Sequence, residues 1–303
     1  MIKIRKNKLM VCPGKTAIKL PTECMPYVCI KQINQQDYDF FDFDGFIINF
    51  QKKIATALLI KREFSFDDPH EVNNESLSQA ILNYEDLKEL ENGINFSTML
   101  SIPLFLTIWP FDYPKMKYME LNNPLSIFEV IKEDNKIKLK LIERGNEDTL
   151  KSFIRKYRNF SFSFVKPMTI SKTFMDYFLS TTSDPWPGDL DGILKKNRTG
   201  EIEALLEFKT HNLSSPITEE SVDKYGKQDF RRFKVLFYLQ KQIKELQGFE
   251  PLILYIIWGT GDTHKEVKIQ ILSNESIINE YLVETSISDS YNNLFNKIKE
   301  ITE

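Results

Sequence analysis

After Pro251 the chain reads LILYIIW, an unbroken apolar run from Leu252 to Trp258. A strand with one face in water alternates apolar and polar side chains, so a run with no polar position predicts a strand buried on both faces. Such a strand requires neighbouring strands and a helical layer above and below. Residues 221–247, closed by Gly248, predict a long helix before it. After it, residues 267–272 alternate as a half-exposed strand. Residues 275–301 are expected to be mostly helical, with Ile277, Tyr281, Leu294 and Ile298 available for packing. This succession predicts a mixed α/β domain with helices on a central sheet.

The chemistry sits in a hairpin ahead of the long helix, GDLDGILKKNRTGEIEALLEFKTH from Gly188 to His211. In its second arm Ile202, Ala204, Leu206 and Phe208 fall on one face, and Glu203, Leu205, Glu207 and Lys209 on the other. In the first arm Leu190, Gly192 and Leu194 oppose Asp189 and Asp191, and Lys195 to Gly200 supply the turn. Folding the arms together gathers carboxylates and an ammonium on one sheet face. Neighbouring carboxylates resist joint ionisation unless a cation lies between them, and hard oxygen donors suit Mg2+ or Mn2+. A lysine beside them can orient an attacking water and offset charge building on a phosphate. Phosphodiester hydrolysis uses all three groups.

These residues resemble the PD-(D/E)xK nuclease superfamily, the restriction-endonuclease-like fold. The resemblance is carried by Gly188-Asp189-Leu190-Asp191 with Gly192-Ile193-Leu194, and by Leu205-Leu206-Glu207-Phe208-Lys209-Thr210. It extends over residues 169–303 and is nearest to the nuclease domains of helicase-nuclease recombination enzymes. It implies a central sheet flanked by helices, with Asp191 and Glu207 binding the metal. The Phe208 backbone carbonyl would add a ligand, and Lys209 would position the nucleophile. Asp189 is the alternative to Asp191, because sequence does not fix the hairpin register. The implied activity is that of a DNA endonuclease with a restriction or defence role; RNA is the other substrate, and repair or recombination the other role. A homodimer or a partner ATPase or helicase belongs to the same implication. The alternative from a different class is a noncatalytic nucleic-acid-binding or interaction protein on the same fold. Two departures stand out. Residues 149–184 contain no glutamate, Asp176 being the one acid there before Asp184, and Asp184 precedes Pro185 where the family has the reverse order. A one-metal site is therefore expected.

On the long helix, Lys224, Lys227, Arg231, Lys234 and Lys241 recur at helical spacing and form a basic stripe. Lys227, Arg231 and Lys234 are the expected phosphate contacts; an ordinary solvated face is the other reading of the same stripe. Gln228, Asp229 and Arg232 fall toward the apolar side, where polar groups need partners, and are expected either to support the site or to pair within the helix.

The 303 residues, 42% of them hydrophobic, suffice for two domains. A β-rich N-terminal specificity or partner-docking domain is expected over residues 1–147 and the nuclease-like domain over 148–303, with the polar break Gly145-Asn146-Glu147-Asp148 between them. In the first half, residues 43–50 and 54–61 read as strands, 76–91 as a helix and 136–142 as a strand. Helix 170–179 precedes the hairpin. Net charge is -3, which neither attracts nor excludes nucleic acid as a whole. No apolar run reaches membrane-spanning length and no secretory signal opens the chain, so a cytoplasmic protein is expected, with Cys12, Cys24 and Cys29 in a reducing compartment. Pro13-Gly14-Lys15-Thr16 lacks the earlier glycine of a phosphate-binding loop, Leu9 standing there, which excludes an ATPase reading. Asp44-Gly45-Phe46 with Ala57-Leu58-Leu59-Ile60-Lys61 echoes the second hairpin, but Ile60 replaces the glutamate. It is taken as hairpin grammar, since no periodic repeat runs through the chain.

Overall fold

The computed structural model describes residues 1–5, 10–11, 30, 37–111, 123–163, 165, 167–168, 170–171, 173–211, 215–225, 227–259, 266–273, 276–285 and 292–303. The Pro13–Thr16 stretch, the three cysteines and His264 lie outside the described residues, as do the side chains of Lys227, Gln228, Asp229, Arg231 and Arg232. Two compact units are present. Unit 1 comprises Met1–Leu20 and Asp44–Asp189, and unit 2 comprises Pro21–Phe43 and Leu190–Glu303.

This division replaces the expected boundary at residue 147. The polar Gly145–Asp148 stretch is a helix start, not a linker: Asn146 accepts from the Asp148 and Thr149 amides, and the Thr149 hydroxyl accepts from the Asn146 amide. The helix it caps buries Leu150, Phe153 and Ile154 in the core of unit 1, beside Phe105 and Trp109. Residues 148–189 therefore belong with the first half.

Unit 1 holds strands β1 (Ile2–Arg5), β2 (Met10–Val11), β4 (Gly45–Asn49), β5 (Ile54–Phe66), β6 (Leu104–Pro110), β7 (Leu125–Glu133), β8 (Lys136–Gly145) and β9 (Ile170–Ser171). Its helices are α1 (Asn74–Tyr84), α2 (Leu87–Leu100), α3 (Glu147–Arg158) and α4 (Phe174–Ser180). The main sheet runs β1-β5-β6-β7-β8, with β4 also on β5; β5 and β6 are parallel and the other pairs antiparallel. A small ribbon joins β2 to β9. Unit 1 is thus mixed α+β and not merely β-rich. The single helix expected over 76–91 is two, because Asp86 accepts from the Lys88 amide and starts a new helix that continues to Leu100. The helix expected from 170 begins only at Phe174, where Thr173 and Asp176 form a reciprocal cap.

Unit 2 is a six-stranded mixed sheet in the order β14-β13-β12-β11-β10-β3. Its strands are β3 (Tyr38–Phe43), β10 (Leu190–Lys196), β11 (Ile202–His211), β12 (Leu252–Gly259), β13 (Glu266–Ser273) and β14 (Ser276–Glu284), with helices α5 (Lys227–Gln247) and α6 (Asn292–Thr302). The apolar run forms β12, as its composition requires, parallel to β11 and antiparallel to β13. One face of the sheet carries Leu206, Leu254, Ile256 and Ile269 against Leu294, Phe295 and Ile298 of α6. On the other face Phe233 of α5 meets Tyr255 edge-on, ring centroids 5.3 Å apart. The helix expected across 275–301 is corrected: its first part is β14. Residues 276–284 carry period two, with Val283 buried while Ile278 and Leu282 are exposed, and this pattern suits an edge strand. The long helix starts at Lys227, after a short 3-10 turn over Val222–Tyr225.

Candidate active site

The hairpin of β10 and β11 closes through a turn that needs glycine. Gly200 has φ 77°, and its amide donates to the Lys196 carbonyl at 2.8 Å. From there the ladder pairs Lys195 with Ile202, passes a bulge, and continues Leu194↔Ala204, Ile193↔Leu205 and Gly192↔Leu206. The pairing stops at Gly192↔Leu206, and there a side chain takes over from the backbone. The Phe208 amide donates to Asp191 Oδ2 at 2.9 Å, so the carboxylate of one arm is tied to the middle of the Glu207-Phe208-Lys209 triplet on the other.

Gly192 permits the close approach of β3. A Cβ there would lie 2.4 Å and 2.5 Å from the Phe40 ring. Strand alternation puts Glu207 and Lys209 on the α5 side of β11, in cross-strand register with Tyr255 and Ile257 of β12. Asp191, Glu207 and Lys209 are each partly buried, and each takes part in further contacts. Asp189, the alternative to Asp191, is exposed and is the last residue of unit 1 by contact, whereas Asp191 is the second residue of β10. Lys234 lies on α5 and is half-buried.

Asp176, the one acid of residues 149–183, belongs to unit 1. Both of its oxygens lie 2.9 Å from Lys61 Nζ. Asp184 is fully buried and bonded by Arg155, Ser161 and Ser183. Burial pushes its pKa up, but the Arg155 and Ser161 bonds, the Arg155 charge and the Ser183 bond together outweigh this and leave it lowered.

A polar layer lies beside the triplet. His211, at the end of β11, is buried; Nε2–H donates to the Ser215 carbonyl at 2.8 Å, and Nδ1 lies 3.3 Å from Glu220 Oε2. Lys224 Nζ is 3.1 Å from the same oxygen. Gln270 of β13, also buried, accepts from the Val222 amide and donates to Ser221. These groups anchor residues 215–225 against the sheet, so His211 is held by protein partners. The sequence signal was an acidic pair, Glu219-Glu220, directly ahead of a basic helix.

The donor set can be judged for a metal. Asp191, Glu207 and the Phe208 carbonyl are all oxygen donors within one strand fork, the chemistry that a hard divalent cation takes, and Asp191 is oriented by an amide. Among the described residues, no group of three or more His, Cys, Asp or Glu is gathered as a metal cluster, so the fit is to a two-acid site. Compared with family models, curated proteins and solved structures, the chain finds no match in any of the three. Among the described residues, no helix is long and apolar enough to cross a membrane.

Proposed function

We propose that unit 2 is a Mg2+- or Mn2+-dependent phosphodiester hydrolase, a DNA endonuclease of cytoplasmic restriction or defence. The observation that carries this reading is the bond from the Phe208 amide to Asp191, which ties one carboxylate to the backbone between Glu207 and Lys209. Asp191, Glu207 and the Phe208 carbonyl would hold the cation, which when bound lowers the pKa of a water and polarises the phosphate. The protein's own part is to hold these oxygens in place through the hairpin. Lys209, two residues beyond Glu207 on the same face, orients the attacking water and neutralises charge gathering on the phosphate. Lys227, Arg231 and Lys234 on α5 contact the nucleic-acid backbone, which fixes position without reading sequence.

The test is incubation of the purified chain with supercoiled DNA, linear DNA and RNA, with Mg2+, Mn2+ or EDTA. Nicking of the supercoiled DNA that EDTA abolishes is expected. Binding without cleavage under every metal condition would place the chain instead among noncatalytic nucleic-acid-binding proteins.

A further inference from the structure

The echo between the two hairpins is more than shared grammar. Adding 147 to each residue number of the β4–β5 hairpin gives its counterpart in the β10–β11 hairpin. Gly45↔Leu59 becomes Gly192↔Leu206, and Ile48↔Ala55 becomes Lys195↔Ile202. The register breaks at the same place, between Ile47 and Ile48 in one and between Leu194 and Lys195 in the other. Lys53, with φ 56°, takes the left-handed turn position of Gly200, and its amide donates to the Asn49 carbonyl as that of Gly200 does to Lys196. Such a φ is unfavourable for a lysine, so the two turns share an uncommon backbone conformation.

Beyond the hairpins the wiring also agrees. In each unit a helical segment follows, then a strand parallel to the second arm, then two antiparallel strands and a closing helix. Trp109 and Trp258 occupy the same place in the parallel strands, opposite Glu63 and Thr210, which are themselves 147 apart. An aromatic ring closes over the equivalent glycines: Trp186 over Gly45 and Phe40 over Gly192.

The site positions correspond too. Asp44 Oδ2 accepts from the Lys61 amide at 3.0 Å, as Asp191 Oδ2 does from Phe208. Ile60 stands where Glu207 stands, and Arg62 where Lys209 stands. The Arg62 guanidinium donates to Asp44 at 2.8 Å and, bidentately, to Glu85 at 2.6 Å and 2.8 Å. We propose that unit 1 is a second copy of unit 2 whose metal position is permanently filled by the Arg62 guanidinium, leaving a silent site that takes no divalent cation. A planar cation forked between two carboxylates neutralises them as a metal would, but offers no open position for water. Burial alone would lower the Arg62 pKa, but the Asp44 charge and the Glu85 bond and charge outweigh it, so the group stays charged.

The proposal rests on the reading of unit 2 as a metal site but not on cleavage by it, and its test reads stability and metal binding. In the full chain, Arg62→Ala should lower Tm and leave a two-carboxylate pocket. Low-millimolar Mn2+ or guanidinium should raise the Tm of this variant by more than that of the wild type, with Na+ at equal ionic strength as the control. Tm responses to both cations no larger than the wild type's would overturn the proposal. Should Arg62→Ala fail to fold, Asp44→Asn supplies the second arm. Its Mn2+ titration should match the wild type in stoichiometry and affinity, and weaker binding by the folded variant would show that unit 1 holds metal. Loss of metal binding only in Glu207→Gln would bear on unit 2 and leave this result intact.

Discussion

The ion pair of Lys61 and Asp176 decides whether Asp176 serves structure or a metal. Both side chains are about as buried as core residues, 5% and 4% exposed, with Nζ 2.9 Å from each oxygen and 5.0 Å from the Trp186 ring centroid. Asp176 Oδ2 also accepts from the Thr173 amide at 3.1 Å, capping α4. Lys61→Met would leave a carboxylate in an apolar surround with one amide for company, which costs about 3–5 kcal/mol. Asp176→Leu with Lys61→Met removes both charges and the cap bond, and that bond is worth about 1 kcal/mol. The double variant should therefore be more stable than Lys61→Met alone by roughly 2–4 kcal/mol. Urea unfolding followed by tryptophan fluorescence reports this through Trp109 and Trp186 in unit 1. A Lys61→Met cost below about 1 kcal/mol, or additive single and double variants, would refute the argument. Weaker Mn2+ binding by folded Asp176→Asn would instead make that acid a metal ligand.

Two further outcomes follow from the geometry. Asp184→Asn should destabilise the chain at neutral pH. Because the folded carboxyl pKa is lowered below 3.8, this contribution is complete above that value and fades as pH falls through the folded value, so the gap in urea midpoint between wild type and variant should close in acid; a gap that is constant with pH would contradict it. Gly192→Ala should cost about 1–2 kcal/mol by pushing its Cβ into the Phe40 ring, and Phe40→Leu should recover much of it in an equilibrium unfolding series.

Several elements were legible because their physics is local. The apolar run of β12 has no polar face to place in water, and the β10–β11 hairpin combines strict alternation with a glycine turn. The same locality misled elsewhere. The polar run at Gly145–Asp148 has the composition of a linker, yet its side chains cap α3. Residues 276–284 contain enough apolar side chains for a helix, and only their period of two marks an edge strand. The interleaving of the units could not be read locally at all, since β3 pairs with β10 about 150 residues later. The candidate residues Asp191, Glu207 and Lys209 all come from one hairpin, so their alternation on a shared face was legible in the sequence. The Asp44–Arg62–Glu85 cluster was hidden because Glu85 comes from the break between α1 and α2, and because the two hairpins share little beyond Asp-Gly and Ala-Leu-Leu as identical pieces.

The central claim is that Glu207 binds the cation and Lys209 acts on the water. Its most direct test pairs calorimetric Mn2+ titration with nicking of supercoiled DNA, for the wild type, Glu207→Gln and Lys209→Ala. Glu207→Gln should lose both metal binding and cleavage, whereas Lys209→Ala should bind Mn2+ like the wild type yet nick at least about 100-fold more slowly. Wild-type turnover by folded Glu207→Gln under saturating metal would contradict the account.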